Sequence, residues 1–464
     1  MKTNSGKTAI EALSANALDT RFENLDAVTV KNAKNRIIDV IGCAIGAANV
    51  PSNVALVDLV KDWGGKPEAT LLVHGGKVPA HQAAMVNSII ARSYDYEVMN
   101  IVVEGVMIAA HHAATMVMTA LALGELKGIN GKELITAMLV GDDVTARILA
   151  ASNGRGPGWD GTGTLCHFGA TAIAGRLLGL NQIQMKNAFG IVLSLVAGAS
   201  QSQWDGETTF KLGQGASARS GIFSAHLAKK GWTGVEDALL STYGYYFLYA
   251  QGCKVKPEIL TKDLGKKFYA EAFFKAYPCG MPTHAAIDSA LAIVQKNDIK
   301  AEDIKEVTVC LHRMGIEGPY GQQFRIRDFP QGDAIFSYQY TVANALLRRS
   351  VKLEHFSDES IRDPKVNALI AKTKLTELIG VESTRSAEVR VKMKDGREFS
   401  EFTALPRANP FTKPASDDEI IAKYRSQVEF SKTVSKKNAE ELLKLLNSLE
   451  DVDNINKIIG LLAA

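Results

Sequence analysis

The chain has 464 residues, which is enough for two or three domains and a large buried core. Its 53 basic and 50 acidic residues give a net charge of +3 and are dispersed, so we expect neither a nucleic-acid-binding surface nor a membrane anchor. The polar amino terminus lacks the apolar core of a secretory signal, and the sequence therefore predicts a cytoplasmic protein whose partner is a small molecule.

The first part of the chain is helical by pattern. In residues 31–48, apolar side chains recur at helical spacing beside a face of glycine and alanine, which indicates a helix packed closely on several sides. Further helices are predicted at about residues 81–92, 113–124, 131–151, 167–178, 183–197 and 216–230. No strand-like alternation persists here, so residues 1–268 are predicted to form one all-helical domain.

The segment from Tyr94 to Thr119 places ionisable side chains in some of the most apolar sequence of the chain. They are Asp95, Tyr96, Glu97, Glu104, His111 and His112. Because burial of a charge without a partner is unfavourable, such groups should be paired, solvated or used in chemistry. We interpret the segment as a candidate site, with the alternative that the two histidines are satisfied core residues at the start of a helix.

The five cysteines are far apart and show no spacing of a zinc or iron–sulfur site. They are Cys43, Cys166, Cys253, Cys279 and Cys310. This usage fits a reducing compartment. The adjacent His111 and His112 lack the spacing of a metalloprotease helix, and no acidic cluster could enclose a hard cation. The sequence therefore predicts no metal.

The periodicity changes after Lys254. Residues 304–311 and 387–403 alternate apolar and polar side chains, the second run around an Asp395-Gly396 turn, and they predict strands of an antiparallel sheet. Helical patterns lie between these strands at residues 284–295, 334–348 and 363–372.

These elements predict a second, smaller domain. Residues 269–405 should form an α+β lid domain inserted between two helical parts, and residues 406–464 should form a helical tail that packs back on the first domain. The predicted fold class is mainly α, with a large all-helical domain and an inserted smaller α+β lid domain.

Three glycine-rich turns could bind a ligand. The first, residues 153–164, has neither a phosphate-binding loop nor the dinucleotide pattern after a strand. The second places Lys211 just before a helix, and the third places His284 at a helix start. Helix amino termini offer free N–H donors and partial positive charge, so both positions suit a carboxylate or phosphate, although each turn alone is more often structural.

Seven segments, in the family's order, resemble the MmgE/PrpD superfamily of 2-methylcitrate dehydratases, cis-aconitate decarboxylases and iminodisuccinate epimerases. They are GKVPAHQAAMVNSIIARSYDYE, HHAAT, GTGTLCHFGATAIAGRLLGL, TTFKLGQGASARSG, KAYPCGMPTHAAIDSAL, DAIFSYQYTVANAL and ANPFT. The resemblance covers nearly the whole chain. It implies a large helical domain with a small α+β lid, a homodimer, a site between the domains, and no metal or organic cofactor.

The resemblance also implies individual site residues. On the matching motif positions, the implied catalytic residues are His111, His284, Asp95 and Tyr340. Lys211 and Lys275 are implied to bind the substrate. Asp160 departs from the family pattern, because GWDGTGT has it where relatives usually show a histidine. An acid that lines the pocket would disfavour a third substrate carboxylate, whereas the simpler interpretation is that Asp160 caps the following helix.

These residue types suit proton transfer at a carbon next to a carboxylate, which needs a base, an acid and cations near the developing charge. With the resemblance, they predict a cofactor-free lyase on a small di- or tricarboxylate, first of all dehydration of a 2-methylcitrate-like hydroxy acid. The alternatives are an epimerase or isomerase of an iminodisuccinate-like dicarboxylate and a cis-aconitate-type decarboxylase. Outside enzymes, the alternative is a helical dimer with a ligand-sensing lid.

Overall fold

The computed structural model describes residues 8–99, 101–108, 110–152, 154, 156–269, 272–381 and 383–463. Two residues of the first glycine-rich turn, Asn153 and Arg155, therefore lie outside the described residues. Most of the described chain is helical, which confirms a mainly α fold.

Eleven helices lie in the described chain before residue 270. They are α1 Ala9–Asp19, α2 Ala27–Ala47, α3 Pro51–Trp63, α4 Ala80–Arg92, α5 Ala113–Lys127, α6 Gly131–Ser152, α7 Gly161–Leu177, α8 Gln182–Leu193, α9 Gln201–Asp205, α10 Leu212–Lys229 and α11 Tyr245–Tyr249. All seven helices predicted for this part of the chain are present, although several boundaries differ by a few residues.

Two short hairpins correct the prediction of an all-helical first domain. Strand β1, Ala69–Thr70, pairs antiparallel with β2, Lys77–Val78, and β3, Ile101–Val103, pairs antiparallel with β4, Val106–Ile108. Strands of two or three residues are too short to show period-two alternation, so the pattern could not reveal them. The second hairpin reverses the chain between Glu97 and His111.

The second part of the chain contains six helices and a four-stranded sheet within the described residues. The helices are α12 His284–Lys296, α13 Arg313–Glu317, α14 Pro330–Ile335, α15 Tyr338–Arg348, α16 Asp358–Arg362 and α17 Pro364–Ile370. The strands are β5 Ile304–Leu311, β6 Thr373–Glu377, β7 Ala387–Met393 and β8 Glu398–Thr403.

The sheet is mixed, which corrects the prediction of an antiparallel one. Its strand order is β6-β5-β7-β8, with β7 antiparallel to both β5 and β8, as expected for a hairpin at Gly396. Strand β6 instead runs parallel to β5, with Val307 opposite Thr373. It begins at Thr373, three residues after the end of α17, and the sequence pattern did not predict it.

The predicted helix over residues 334–348 is two helices. Helix α14 ends at Ile335, and α15 begins after Ser337, whose hydroxyl accepts a hydrogen bond from the Tyr340 amide at 3.2 Å. A serine that accepts from the third residue after it is a helix N-cap, so the chain restarts here.

The carboxyl-terminal helices are α18 Asp417–Ser431, α19 Lys436–Asn447 and α20 Asn456–Leu462. Helix α18 starts with the expected capping box of Ser416 and Glu419 and packs against α2. A Cβ atom on Gly42 of α2 would lie 2.8 Å from the Gln427 amide nitrogen and 3.3 Å from the Tyr424 ring. The glycine face of α2 therefore allows α18 to approach closely.

No single described helix is long and apolar enough to cross a membrane. Only α2 and α3 taken together reach the length and composition of a span, and they are bent by 93°. The domain boundaries and the lid arrangement expected from the sequence remain predictions.

Candidate active site

The loop that follows α4 carries the two acids of the site. Asp95 has a left-handed backbone, with φ of 48°, and its amide donates to the Arg92 carbonyl at 2.9 Å. A non-glycine residue in this conformation is uncommon and is often found at functional sites. The Arg92 guanidinium, at the end of α4, pairs with the Asp95 carboxylate and lies 3.3 Å from Glu97 Oε1. Both acids are buried with this arginine.

His111 meets these acids from the far side of the β3–β4 hairpin. Its Nδ1 atom lies 2.9 Å from Glu97 Oε1 and 3.6 Å from Asp95 Oδ1. Its backbone amide donates to the Thr162 hydroxyl at 3.1 Å, which ties the residue to the start of α7. The His111 side chain is 15% exposed, whereas the two acids are sealed from solvent. The imidazole is thus the part of the cluster that solvent can reach.

Lys275 reaches the same cluster from the segment before α12. Its side chain is fully buried, and its Nζ atom lies 2.9 Å from Asp95 Oδ1 and also donates to the Asp95 carbonyl. Burial lowers the pKa of Lys275 well below its ordinary value, and the nearby Glu97 carboxylate opposes that effect. Lys275 therefore belongs to the cluster as predicted, but the contacts of its amine are with Asp95.

A divalent cation is a further possible occupant of this cluster. One ligand atom each from Asp95, Glu97 and His111 lie within 4.8 Å of one another. However, Arg92 and Lys275 already approach the carboxylates at ion-pair distance, so a metal would have to compete with two basic side chains. The residues fit an acid–base cluster better than a metal centre.

Lys211 lies in a buried cage of neutral oxygens, not in an exposed turn. Its Nζ atom donates to Asn53 Oδ1 at 2.7 Å, Ser52 Oγ at 2.8 Å and Ser93 Oγ at 3.1 Å. Burial lowers the pKa of Lys211 to about 7. Because Ser93 directly follows Arg92, the cage adjoins the loop that carries Asp95 and Glu97. The three donors of the amine are engaged within the protein.

Asp160 caps helix α7. Its two carboxylate oxygens accept from the amides of Thr162 and Gly163, each at 3.2 Å. It is half-buried, and its Thr162 neighbour is the residue that holds the His111 amide. The geometry supports the simpler interpretation from the sequence, in which Asp160 caps a helix. The cap lies next to the site, through the contact between Thr162 and His111.

His284 and Tyr340 are both buried, and each has partners within the protein. His284 is fully buried against the rings of Tyr277 and Phe273, its Nε2 atom lies 3.3 Å from the Cys279 carbonyl, and its Nδ1 atom has no partner among the described residues. Burial and the charge of Lys275 lower the pKa of His284 well below its ordinary value. His284 is therefore a neutral residue close to Lys275.

Tyr340 is buried in the second part of the chain. Its hydroxyl donates to the backbone carbonyl of His355, and its ring stacks on Phe324. Burial raises the pKa of Tyr340 to about 12. The single proton of this hydroxyl is used in the hydrogen bond to His355, so Tyr340 could donate to a leaving group only after that bond breaks.

Sequence reasoning passed over Arg92 and Tyr320. Arg92 lies three residues before Asp95 at the end of a predicted helix, a spacing that could have indicated the ion pair. Its guanidinium lies over the Phe210 ring at 5.3 Å, Phe210 contacts Phe336, and Phe336 contacts Tyr320 at 5.5 Å between ring centroids. Burial raises the pKa of Tyr320, and the charge of Arg92 opposes this effect. Only the tertiary fold brings this half-buried tyrosine near the cluster.

A separate surface cavity of about 250 Å³ lies on the other side of Phe336. Arg325, Arg327 and Asp333 line it, and Arg327 and Asp333 pair at 2.7 Å. Asp95, Glu97 and His111 do not line this cavity. It is a polar groove lined by residues of both parts of the chain.

The chain matches known proteins along most of its length. The MmgE/PrpD N-terminal domain matches residues 11–258, and the MmgE/PrpD C-terminal domain matches residues 277–450. Cis-aconitate decarboxylase of Homo sapiens is 26% identical, over 99% of this chain and 94% of its own. The cis-aconitate decarboxylase-like protein oryM of Aspergillus oryzae is 23% identical, over 95% of this chain and 94% of its own.

A dehydratase also matches, over less of the chain. The 2-methylcitrate dehydratase of Cupriavidus necator is 24% identical, over 75% of this chain and 74% of its own. At such identities the relatives differ in reaction while sharing a family. The two domain matches cover most of the sequence, and the protein belongs to the MmgE/PrpD family.

Proposed function

We propose that this protein is a lyase that transfers a proton at a carbon next to a carboxylate of a small polycarboxylic acid. The contact of 2.9 Å between Glu97 Oε1 and His111 Nδ1 carries the proposal. A carboxylate that accepts from Nδ1–H leaves the lone pair of the neutral imidazole on Nε2, which orients the ring as a general base. The acid is buried and the imidazole is 15% exposed, so a substrate can approach the imidazole but not the carboxylate.

The basic side chains support this chemistry. In their ionised forms, Arg92 and Lys275 balance the charges of Asp95 and Glu97, so an incoming polycarboxylate does not meet two uncompensated acids. Preorganised cations near the reacting carbon also stabilise the negative charge that develops when the proton or the leaving group departs.

Lys211 is the proposed contact for a substrate carboxylate. Its partners are neutral oxygens, and a carboxylate is a stronger acceptor because the hydrogen bond is then assisted by charge on both groups. Ser52 is less buried than Asn53 and Ser93. We expect the substrate to replace the Ser52 hydroxyl at the lysine amine.

Within this class, the site favours decarboxylation of a cis-aconitate-like acid. In that reaction the bond to one carboxylate breaks, carbon dioxide leaves, the electron pair stays on carbon, and one proton is delivered there. His111 can deliver that proton from Nε2 when its imidazole is protonated, and the buried Glu97 carboxylate at Nδ1 stabilises the protonated form. The proteins named as cis-aconitate decarboxylases match the chain from end to end, which supports this activity.

Dehydration of a 2-methylcitrate-like hydroxy acid is the second candidate. Elimination of water needs a base for the carbon-bound proton and an acid for the departing hydroxyl. Tyr320 supports it, because this half-buried phenol lies close enough to Arg92 for the arginine charge to act on it. Epimerisation of a dicarboxylate is the third candidate. The absence of the family histidine at position 160 favours it, whereas the helix cap formed by the Asp160 carboxylate adds no support.

The test is turnover in deuterated water, followed by proton NMR, with cis-aconitate, 2-methylcitrate and a panel of dicarboxylates. Carbon dioxide loss with one deuterium incorporated supports decarboxylation, a new alkene from the hydroxy acid supports dehydration, and exchange with racemisation supports epimerisation. No reaction with any of these acids would contradict the proposal.

Glu97→Gln tests the residue assignment on the best substrate found. We expect kcat to fall by about 10²–10⁴-fold, because glutamine lacks the negative charge that favours the Nδ1–H tautomer and stabilises the protonated imidazole. Glu104→Gln is the matched control, since Glu104 lies 40% exposed at the tip of the same hairpin. If Glu97→Gln kept the wild-type kcat, the contact between Glu97 and His111 would have no role in the mechanism.

A further inference from the structure

The backbone on both sides of Glu97 is contacted by an ion pair between helices α2 and α18. The Lys423 Nζ atom donates to the Tyr96 carbonyl at 2.6 Å and pairs with Asp39 Oδ1 at 2.7 Å. The other carboxylate oxygen of Asp39 accepts from the Val98 amide at 2.7 Å. One ion pair thus contacts the residue before Glu97 and the residue after it.

This ion pair is enclosed by protein. The Asp39 side chain is fully buried and the Lys423 side chain is 7% exposed. The Lys423 Nζ atom also lies 3.9 Å from the centroid of the Tyr96 ring. A buried ion pair is often no more stabilising than apolar side chains of the same volume, because desolvation offsets the attraction. What this pair provides in addition is two directed hydrogen bonds to the loop that carries Asp95 and Glu97.

We propose that Lys423 and Asp39 are positioning residues that hold Glu97 at hydrogen-bonding distance from His111. This inference rests on the proposed function of that pair. It makes helix α18, which lies more than 300 residues from Glu97 in the sequence, a support of the active site.

The geometry explains how the support acts. The Tyr96 carbonyl and the Val98 amide flank Glu97, so fixing both restricts the dihedral angles that aim its carboxylate. Without Lys423, the Tyr96 carbonyl loses its donor and Asp39 loses its counter-ion, although Asp39 can still accept from Val98 in its protonated form. A shift of about 1 Å at the carboxylate would break the contact with Nδ1, and displacements of that size reduce rates by up to about 10²-fold.

The experiment compares Lys423→Met with Arg425→Met in the full-length protein. Arg425 lies on the same helix and pairs with Glu440 at 2.7 Å, with both side chains more than half exposed. Both substitutions remove one positive charge from α18, so the comparison separates contact with the loop from net charge and helix stability.

The first measurement is the tautomer of His111, read from its side-chain nitrogen-15 chemical shifts and assigned by loss of the signal in His111→Gln. It needs no substrate. We expect the Nδ1–H form in the wild type and in Arg425→Met, and a majority of the Nε2–H form in Lys423→Met, because the free ring favours that form without a carboxylate at Nδ1. A change in stability alone would not alter the tautomer.

The second measurement is turnover. We expect kcat of Lys423→Met to fall at least about 10-fold while KM changes by less than about 3-fold, since the substrate contacts are untouched. Asp39→Asn is the second variant, because asparagine keeps an acceptor for Val98 but not the ion pair, and we expect a smaller change in the same direction. It also replaces Lys423→Met if that variant does not fold.

A folded Lys423→Met, or a folded Asp39→Asn in its place, that keeps the wild-type tautomer and kcat would overturn the inference. Failure of the wild type to turn over any polycarboxylate would instead contradict the proposed function, while the tautomer comparison would still decide whether α18 positions Glu97.

Discussion

Lys211 shows how one side chain can couple the site to pH. Its folded-state pKa is about 7 because the amine is buried among neutral oxygens, whereas a lysine in the unfolded chain titrates near 10.4. Between these values the unfolded chain binds more protons than the folded one, so the contribution of Lys211 to the free energy of unfolding rises with pH. Below pH 7 both states carry the charge, and the cost of burying it is then present in full.

We therefore predict that wild type gains stability over Lys211→Met as the pH rises from 7 to 10, by roughly 1 kcal/mol per pH unit. Urea unfolding at pH 6, 8 and 9.5 measures the difference, and Lys413→Met, at an exposed position, corrects for net charge. A difference that is constant with pH would show that the buried amine is not the group that titrates in this window.

At the same scale, the sequence predicted which residues lie in the site better than it predicted the partners of their side chains. Asp95, His111 and Lys275 were expected on motif positions, and the structure brings all three within ion-pair distance. Tyr340 was expected in the site, but the His355 carbonyl takes its hydroxyl. Its partner lies fifteen residues away in a different turn, and no local pattern records which of two possible acceptors a tyrosine will meet.

At the scale of the element, Asp160 fixes the start of α7. Because its carboxylate accepts from two orphan amides, Asp160→Ala should lower the free energy of unfolding by about 1 kcal/mol, and Asp160→Asn by less. Thermal unfolding measures both. If the cap is its main role, the preference between di- and tricarboxylates should be unchanged in Asp160→Asn. A changed preference between di- and tricarboxylates at unchanged stability would instead indicate that Asp160 contacts the substrate.

Helices were easier to predict than the breaks and short strands between them. The glycine face of α2 indicated close packing correctly, because small residues at helical spacing have few other uses in a buried helix. The parallel strand β6 was missed because its partner β5 is distant in sequence. The break at Ser337 was missed although its N-cap is local. The β3–β4 hairpin was missed although it brings Glu97 and His111 together.

At the scale of the whole molecule, the candidate site is assembled from three distant parts of the chain. Residues of the first part supply Arg92, Glu97 and His111, the segment before α12 supplies Lys275, and α18 supplies Lys423. The family resemblance implied a site between two domains, but it could not give the ion-pair partners, which depend on distances set by all three parts.

Two segments join the first and second parts of the chain, and the structure holds them differently. The buried Arg147 donates to the carbonyls of Lys262 at 2.6 Å and Lys267 at 2.8 Å, which ties residues 262–267 to α6. In residues 405–413, Arg407 and residues 411–413 are exposed, whereas Ala408 and Asn409 are buried. Proteases cut exposed segments that can leave the surface, so the segment that Arg147 does not hold should be the more sensitive one.

We predict that trypsin cuts first at Arg407, because Lys413 precedes Pro414 and is not a trypsin site, and only later at the lysines of residues 262–267. A saturating substrate should slow the first cut if the predicted lid closes on it, because closure restrains the segments that join the two parts. Mass spectrometry of the early fragments identifies the sites, and Arg147→Met should advance cleavage at residues 262–267 by releasing their carbonyls. Equal cleavage with and without substrate would argue against closure, whereas first cleavage at residues 262–267 in the wild type would show that Arg147 does not restrain that segment.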